Sequence, residues 1–143
     1  MPAVAPVPSS TDLSALAWVH EELRRTLESA HKSMRRYFKE VEAARESDLG
    51  APDPGVLRQA RAQTHQGVGA LELVRLPSAA QMLRASEAAL NRLQQKPQLM
   101  TPTAMATVEQ GSFALLEYLS RMLARKPVSA LLLFPQYRAI QEL

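Results

Sequence analysis

Apolar residues recur every three or four positions near the start of the chain, and this spacing constrains the fold more than any other feature of the sequence. Steps of three and four keep the apolar side chains on one face of an α-helix. The series is Leu13, Leu16, Val19, Leu23, Leu27, Ala30, Met34, Phe38 and Val41. We predict one long helix from about Asp12 to Glu46, capped at its start by Ser10, Thr11 or Asp12.

Three further segments show the same period and are separated by proline. The second face is Leu57, Ala60, Thr64, Gly67, Leu71 and Val74, before Pro77. The third is Ala79, Met82, Ser86, Ala89 and Leu93, before Pro97, with Ser78 as its predicted cap. The fourth is Met105, Val108, Ser112, Leu115, Leu119 and Met122, opened by Thr101 and Pro102 and ending before Pro127. Residues 47–55 have the composition of a turn.

The last segment runs from Val128 to Leu143, with Ser129 as a cap and Pro135 as a residue that should kink it or split it into two short helices. No segment alternates with period two, so a sheet has no support. The sequence therefore predicts an all-α fold, an antiparallel four-helix bundle with an additional C-terminal helix. Residues 1–11 are a proline-rich leader, and residues 12–143 form one domain.

Composition excludes several classes of function. A chain of 143 residues without cysteine has no thiolate nucleophile, cysteine-ligated zinc site or disulfide. The longest apolar run, 130–134, is too short to span a bilayer, so we expect no membrane insertion. A chain without cysteine suits a reducing compartment, and we expect it in the cytoplasm. Arginines and glutamates are interleaved along the first helix, which is typical of a solvated face and not of a nucleic-acid interface. Phosphate loops and the common hydrolase and metal motifs are missing.

The three histidines are the remaining candidates for chemistry, because imidazole can transfer protons and phosphoryl groups near neutral pH. His20 is expected at the edge of the apolar face and His31 at a solvated position. These two lie three turns apart and cannot share a metal, so no metal site is predicted.

His65 stands among small residues, with Gly69 one turn further along the same face. An exposed histidine beside bare backbone suits phosphoryl transfer between two proteins, although both Gly67 and Gly69 could instead serve helix packing.

The run His65-Gln66-Gly67-Val68-Gly69 resembles the motif of histidine phosphotransfer (Hpt) domains, His-x-x-Lys-Gly, with valine in place of the lysine. A second family glycine is replaced by Arg75. Residues 12–143 are also similar to the N-terminal Hpt-like region of CheA-type kinases of type IV pilus chemosensory systems, and to a related scaffold protein with a degenerate version of that region. The segments that carry this similarity are 16–27, 65–74 and 131–133, together with Pro135.

The resemblance implies that His65 is a phosphoacceptor and that the partner is a response-regulator receiver domain, which supplies Mg²⁺; the chain itself needs no cofactor. It also implies phosphorelay signalling upstream of pilus extension and retraction. The rest of a CheA-type kinase is a further expected partner, and we expect the chain to be a fragment of such a protein. The docking face is bordered by Gly69, Gln66, Val68, Arg61, Arg58 and Glu72. Arg61, one turn before His65, is expected to replace part of the missing lysine charge.

The alternative is a docking scaffold, a protein that binds signalling partners through the same face without being phosphorylated. Val68 and Arg75 favour this alternative, since both depart from the motif. Homodimerisation through Leu131, Leu132 and Phe134 is compatible with either function. By itself the chain is expected to carry a phosphoryl group and not to act as a complete enzyme.

Overall fold

The computed structural model describes residues 10–46 and 52–143, and this part of the chain is helical without β-strands, so the predicted all-α class is confirmed. Its five α-helices are α1 (Ser10–Glu46), α2 (Pro54–Leu73), α3 (Pro77–Gln95), α4 (Pro102–Leu123) and α5 (Phe134–Gln141). Short 3-10 turns follow α3 at Pro97–Leu99 and precede α5 at Ala130–Leu133. The predicted leader before residue 10, the turn over 47–51 and the capping side chains of residues 10–12 lie outside the described residues.

Most helix ends follow from local sequence signals. Thr101 caps α4 as predicted, because its Oγ1 accepts a hydrogen bond from the Ala104 amide at 3.0 Å. Asp53 caps α2 in the same way through Gly55, at 2.9 Å. The prediction that Ser78 caps α3 is wrong: the helix starts one residue earlier, at Pro77, and has no side-chain cap. Proline fixes φ and lacks an amide hydrogen, so it opens a helix without a capping partner.

Pro135 divides the last segment as predicted. A 3-10 turn over Ala130–Leu133 precedes it, and Pro135 then occupies the first turn of α5. Amides in the first turn of a helix have no partner within the helix, so a proline there costs no hydrogen bond. Ser129 caps the 3-10 turn through the Leu131 amide, at 3.2 Å. The apolar segment therefore folds back onto α3 and α4 instead of extending the last long helix.

Polar contacts between helices fix their directions. Ser29 on α1 bonds Gln63 on α2, and an ideal Cβ on Gly67 would come within 2.8 Å of a methyl group of Leu23. The contact with the lower residue number on α1 has the higher residue number on α2, so the two helices are antiparallel. The pairs His31–Ser112 and Arg35–Glu109 show the same relation between α1 and α4. α2 packs between α1 and α3, and α5 lies against α3 and α4.

The apolar faces meet in two adjoining clusters of buried side chains. One contains Leu23, Val68 and Leu115 and is closed by Val128 and Leu133 from the last segment. The other is formed toward the far ends of the helices and includes Tyr37. Sequence periodicity placed Phe38 in this face, but Tyr37 is buried and Phe38 only partly so. Tyr37 lies three residues after Met34 and four before Val41. At about 100° per residue, this spacing turns Tyr37 closer than Phe38 to the centre of the buried face of α1.

Two arginines end helices in a backbone conformation that favours glycine. Arg75 has φ 61° and Arg125 has φ 58°, in the left-handed region. Each follows a long helix whose last carbonyls are satisfied by a Schellman pattern: the Leu76 amide donates to Leu71 and the Lys126 amide to Arg121, both at 3.0 Å. The shared sequence Leu-x-Arg-x-Pro, at 73–77 and 123–127, therefore makes the same turn twice.

Replacing Arg75 with glycine is expected to stabilise the protein by about 0.5–1 kcal/mol, because glycine adopts positive φ without the steric penalty of a Cβ atom. Thermal unfolding followed by circular dichroism measures the change. The matched control is Arg58→Gly, in the interior of α2, which should destabilise by a similar amount. Unchanged or lower stability of Arg75→Gly would show that the Arg75 side chain contributes to folding.

None of the helices in the described part of the chain has both the length and the apolar character that crossing a membrane requires.

Candidate functional site

His65 lies in the middle of α2 with its imidazole exposed to solvent, and it is held by a carboxylate from the neighbouring helix. Its side chain is 71% accessible, and its Nδ1 lies 3.1 and 3.2 Å from the two carboxylate oxygens of Glu87 on α3. Glu87 is the more buried partner, with 26% of its side chain accessible. The better-fixed carboxylate therefore orients a ring that would otherwise rotate freely.

The hydrogen bond to Glu87 determines which ring nitrogen of His65 carries the proton. A carboxylate can only accept, so Nδ1 must be the donor. In the neutral ring Nε2 then has the free lone pair. Because the imidazole is exposed, Nε2 can reach a group on another molecule. The pair thus holds an oriented nitrogen nucleophile at the protein surface.

The two glycines after His65 have different roles. A Cβ built on Gly69 would meet no heavy atom within 4 Å, so the surface one turn beyond His65 is open. A Cβ on Gly67 would lie 2.7 Å from a methyl of Leu83 and 2.8 Å from one of Leu23. Gly67 therefore permits close packing of α2 on α1 and α3. For this glycine, the alternative that it serves helix packing is the correct one. Only Gly69 lies where it can give a partner access to His65.

Val68 does not border the site, and that prediction is wrong. Its side chain is 4% exposed and belongs to the apolar core. The predicted face placed Val68 beside the imidazole, but a residue three positions after His65 is rotated by about 60° around the helix axis, toward the core. The position that corresponds to the lysine of the Hpt motif therefore presents no side chain to the solvent.

Of the other predicted docking residues, two contact α3 and two lie at exposed positions of α2. Arg61 is partly buried and donates through Nη1 to Gln94 at 2.8 Å. Glu72, in the last turn of α2, forms an ion pair with Arg84 on α3. The other two, Arg58 and Gln66, are exposed. His65 thus lies between an arginine that contacts α3 and an acidic residue that is already paired.

His31 is buried, contrary to the prediction of a solvated position. Only 7% of it is exposed; its Nε2 shares a hydrogen bond with Ser112 at 2.9 Å, and Phe113 packs edge-on against the ring at 6.1 Å. The preceding polar residues suggested a solvent-facing turn, but α4 covers this side of α1. His20 is partly exposed, in agreement with its predicted place at the edge of the apolar face.

His31 belongs to a layer of buried polar side chains beneath the exposed site. With Thr64, Ser86 and Ser112 it lines a cavity of about 10 Å³, and each of the four comes from a different long helix. A volume of this size holds at most one water molecule. Thr64 Oγ1 donates to the Ala60 carbonyl at 2.8 Å. The layer is too small for a ligand and is a structural feature of the core.

Stability is expected to fall as the solution is acidified below pH 6.5, because of His31. Burial lowers the pKa of His31 below its ordinary value of 6.5; Glu109 opposes the shift, Arg35 adds to it, and Glu28 opposes it weakly. The unfolded chain therefore takes up the proton at a higher pH than the folded chain, and acid favours unfolding until the folded pKa is passed.

Urea unfolding between pH 7.5 and 5 measures the effect of His31. The variant His31→Gln should remove part of the pH dependence, and His20→Gln should keep it. An equal slope in His31→Gln and the wild type would contradict this origin of the pH dependence.

Sequence reasoning missed Glu87, the residue that completes the site. Residues 74–76 join α2 to α3 in an antiparallel pair, so positions equally distant from this turn lie opposite each other. Counting outward from the turn places residue 85 opposite His65, two positions from Glu87, the only acidic residue of α3, so this arithmetic on the predicted helices could have found the carboxylate. In the described ranges, no three histidine, aspartate or glutamate side chains come together as a metal site.

Comparison of the chain with protein-family models, with curated proteins and with solved structures finds no match. The assignment of function therefore depends on the residues and their geometry.

Proposed function

We propose that the chain is a histidine phosphotransfer module, with His65 as the residue that accepts and passes on the phosphoryl group. The observation that carries this proposal is the pair of His65 and Glu87, an exposed imidazole whose Nδ1 is bonded to a carboxylate at 3.1 Å. The open surface at Gly69 supports it, because the donor must approach Nε2 closely. The long helices would form the Hpt-like four-helix bundle, in the cytoplasm, with a response-regulator receiver as partner.

The proposed step is an in-line displacement at phosphorus. Nε2 of His65 attacks the aspartyl phosphate of the receiver; the new N–P bond forms as the P–O bond to the aspartate breaks, and the aspartate leaves as a carboxylate. The ring keeps its Nδ1 proton and becomes positively charged. Glu87 stabilises this charge through the hydrogen bond. The reverse step returns the phosphoryl group to a receiver, and Mg²⁺ belongs to the receiver's own site.

Because the motif lysine is missing, other residues must neutralise the negative charge of the phosphoryl group. Arg61 stays the predicted substitute, although its Nη1 is bonded to Gln94 and it would have to give up or share this contact. The transferred group would lie near the exposed Gln66 and Gly69. Phosphate recognition by this face is therefore expected to depend more on the receiver than in an Hpt domain that carries the motif lysine.

Transfer from a panel of receiver domains, each loaded with labelled phosphate, tests the proposal. We expect acid-labile label on the wild-type chain and none on His65→Gln. His20→Gln is the matched control, because it removes a partly exposed histidine from another helix, and it should be labelled normally. Label that persists in His65→Gln would overturn the assignment of the acceptor.

A docking scaffold is the second candidate, and the burial of Val68 favours it, because the face then lacks the cation at the motif position. Such a protein would bind a receiver without accepting phosphate. The same panel distinguishes the two: binding without label, unchanged by His65→Gln and lost in variants with a bulky residue at position 69, would identify the scaffold.

A further inference from the structure

One end of the helix assembly carries cations without partners. Since α2 and α4 both run antiparallel to α1, they end beside the start of α1. Arg75 follows α2, while Arg125 and Lys126 follow α4, and all three are exposed. None of them forms an ion pair or a side-chain hydrogen bond with the residues that the structure describes. This end is therefore positively charged.

Acidic residues in the neighbourhood do not neutralise this charge. Glu72 is paired with Arg84, and Glu21 with Arg24. Glu22 has no ion pair within the described ranges, but it lies one turn further from the end than Trp18. Among the side chains that the structure describes, the charges without an ion pair at the end itself are those of the three cations.

Large apolar side chains are exposed at the same end. The pairing of Leu23 with Gly67, and of His31 with Ser112, places Trp18 level with the last turn of α2 and with the residues after α4. Trp18 is 63% exposed and Leu73 85%. Leu131, also exposed, lies in the segment that closes the core at this end. Exposed apolar groups rimmed by charge are typical of a protein interaction site.

The backbone gives an independent reason to assign a role to the arginines. Arg75 and Arg125 both have positive φ, where glycine would be more stable. Their side chains make no hydrogen bond or ion pair within the described ranges, so their contribution to folding is the weak attraction between a cation and the C-terminal end of a helix. Arginine at two positions that favour glycine leaves both guanidinium groups free to act outside the fold.

We propose that the end formed by Trp18, Leu73, Arg75, Arg125 and Lys126 is a docking surface for an acidic segment of a partner protein that also carries apolar side chains. Guanidinium groups bind carboxylates with two parallel hydrogen bonds, and tryptophan and arginine dominate protein interfaces. An anionic membrane is the less favoured occupant, since clusters that hold to such lipids contain about four to eight cations. Leu73 lies about 12 Å along α2 from His65, so this surface is separate from the phosphotransfer face.

Trp18 is the only tryptophan and reports binding directly through its fluorescence. The probe is a synthetic peptide of Glu, Asp, Leu and Gly, compared with a peptide in which Gln and Asn replace the acids. We expect a saturable change in Trp18 emission with the acidic peptide, weakened by salt, and none with the neutral peptide. No response to the acidic peptide would overturn the proposal.

The double variant Arg75→Gly, Arg125→Gly tests the surface without endangering the fold, because glycine suits both positions. Its affinity for the acidic peptide should fall about tenfold. The control Arg36→Gln, Arg138→Gln removes the same charge from exposed sites away from this end and should bind as the wild type does. Equal loss in the control would overturn the proposal. So would stronger binding to vesicles of anionic lipid than to the peptide, which would assign the surface to a membrane.

Discussion

Replacing Glu87 with glutamine is expected to slow phosphoryl transfer to His65 by about 10- to 100-fold, by analogy with the loss of a residue that orients a metal-binding histidine. The amide removes the negative charge that stabilises the ring when Nε2 forms its bond to phosphorus. Its NH₂ group can also donate to Nδ1, which favours the tautomer with the proton on Nε2. The lone pair is then on the wrong nitrogen.

Single-turnover transfer from a phosphorylated receiver measures the effect of Glu87→Gln. The matched control is Glu117→Gln, which removes an exposed carboxylate from an ion pair with Arg121 on α4, outside the docking face. Thermal unfolding should be similar in both variants. Transfer by Glu87→Gln at the wild-type rate would show that the contact with His65 is only a surface ion pair.

Replacing Gly69 with tryptophan is expected to reduce transfer by about 100-fold or more, with little change in the stability of the fold. No heavy atom lies within 4 Å of an added Cβ, so the helix can accommodate the new side chain. The bulky ring then occupies the surface through which the receiver must approach His65. Displacement of the reacting groups by even about 1 Å can lower a rate 100-fold.

The control for Gly69→Trp is Ala106→Trp, at an exposed position on α4, outside the docking face. Transfer and receiver binding are measured for both variants. Normal transfer by Gly69→Trp would show that the receiver does not use this part of α2. Loss of transfer with unchanged binding would show that docking occurs elsewhere and that position 69 affects only the reacting geometry.

Regular helical periodicity and proline punctuation were enough to predict the secondary structure. The apolar series ends where prolines stand, and Thr101, Ser129 and Pro135 act as their chemistry suggests. The failures come from the local sequence at Ser78 and from contacts between helices elsewhere. Ser78 was a plausible cap by itself, but Pro77 starts the helix first, and the choice between Tyr37 and Phe38 depended on the exact direction of the core.

The site was only partly predictable for the same reason. The exposure of His65 and the open surface at Gly69 follow from their places on one helix. The burial of His31 does not, because it depends on α4, and the hydrogen bond to Ser112 replaces the water that a polar neighbourhood suggests. Val68 was predicted to lie beside the imidazole because it occupies the lysine position of the motif, but that position of the helix faces the core. Glu87 was overlooked because its partner lies on another helix.

The central claim is that Nε2 of His65 receives the phosphoryl group, and ³¹P NMR of the chain after transfer from a receiver tests it most directly, since the two phosphohistidine isomers give different signals. The account predicts one phosphoramidate signal of the Nε2 isomer, absent from His65→Gln and present in His20→Gln. A signal from the Nδ1 isomer, or a signal that survives in His65→Gln, would contradict it.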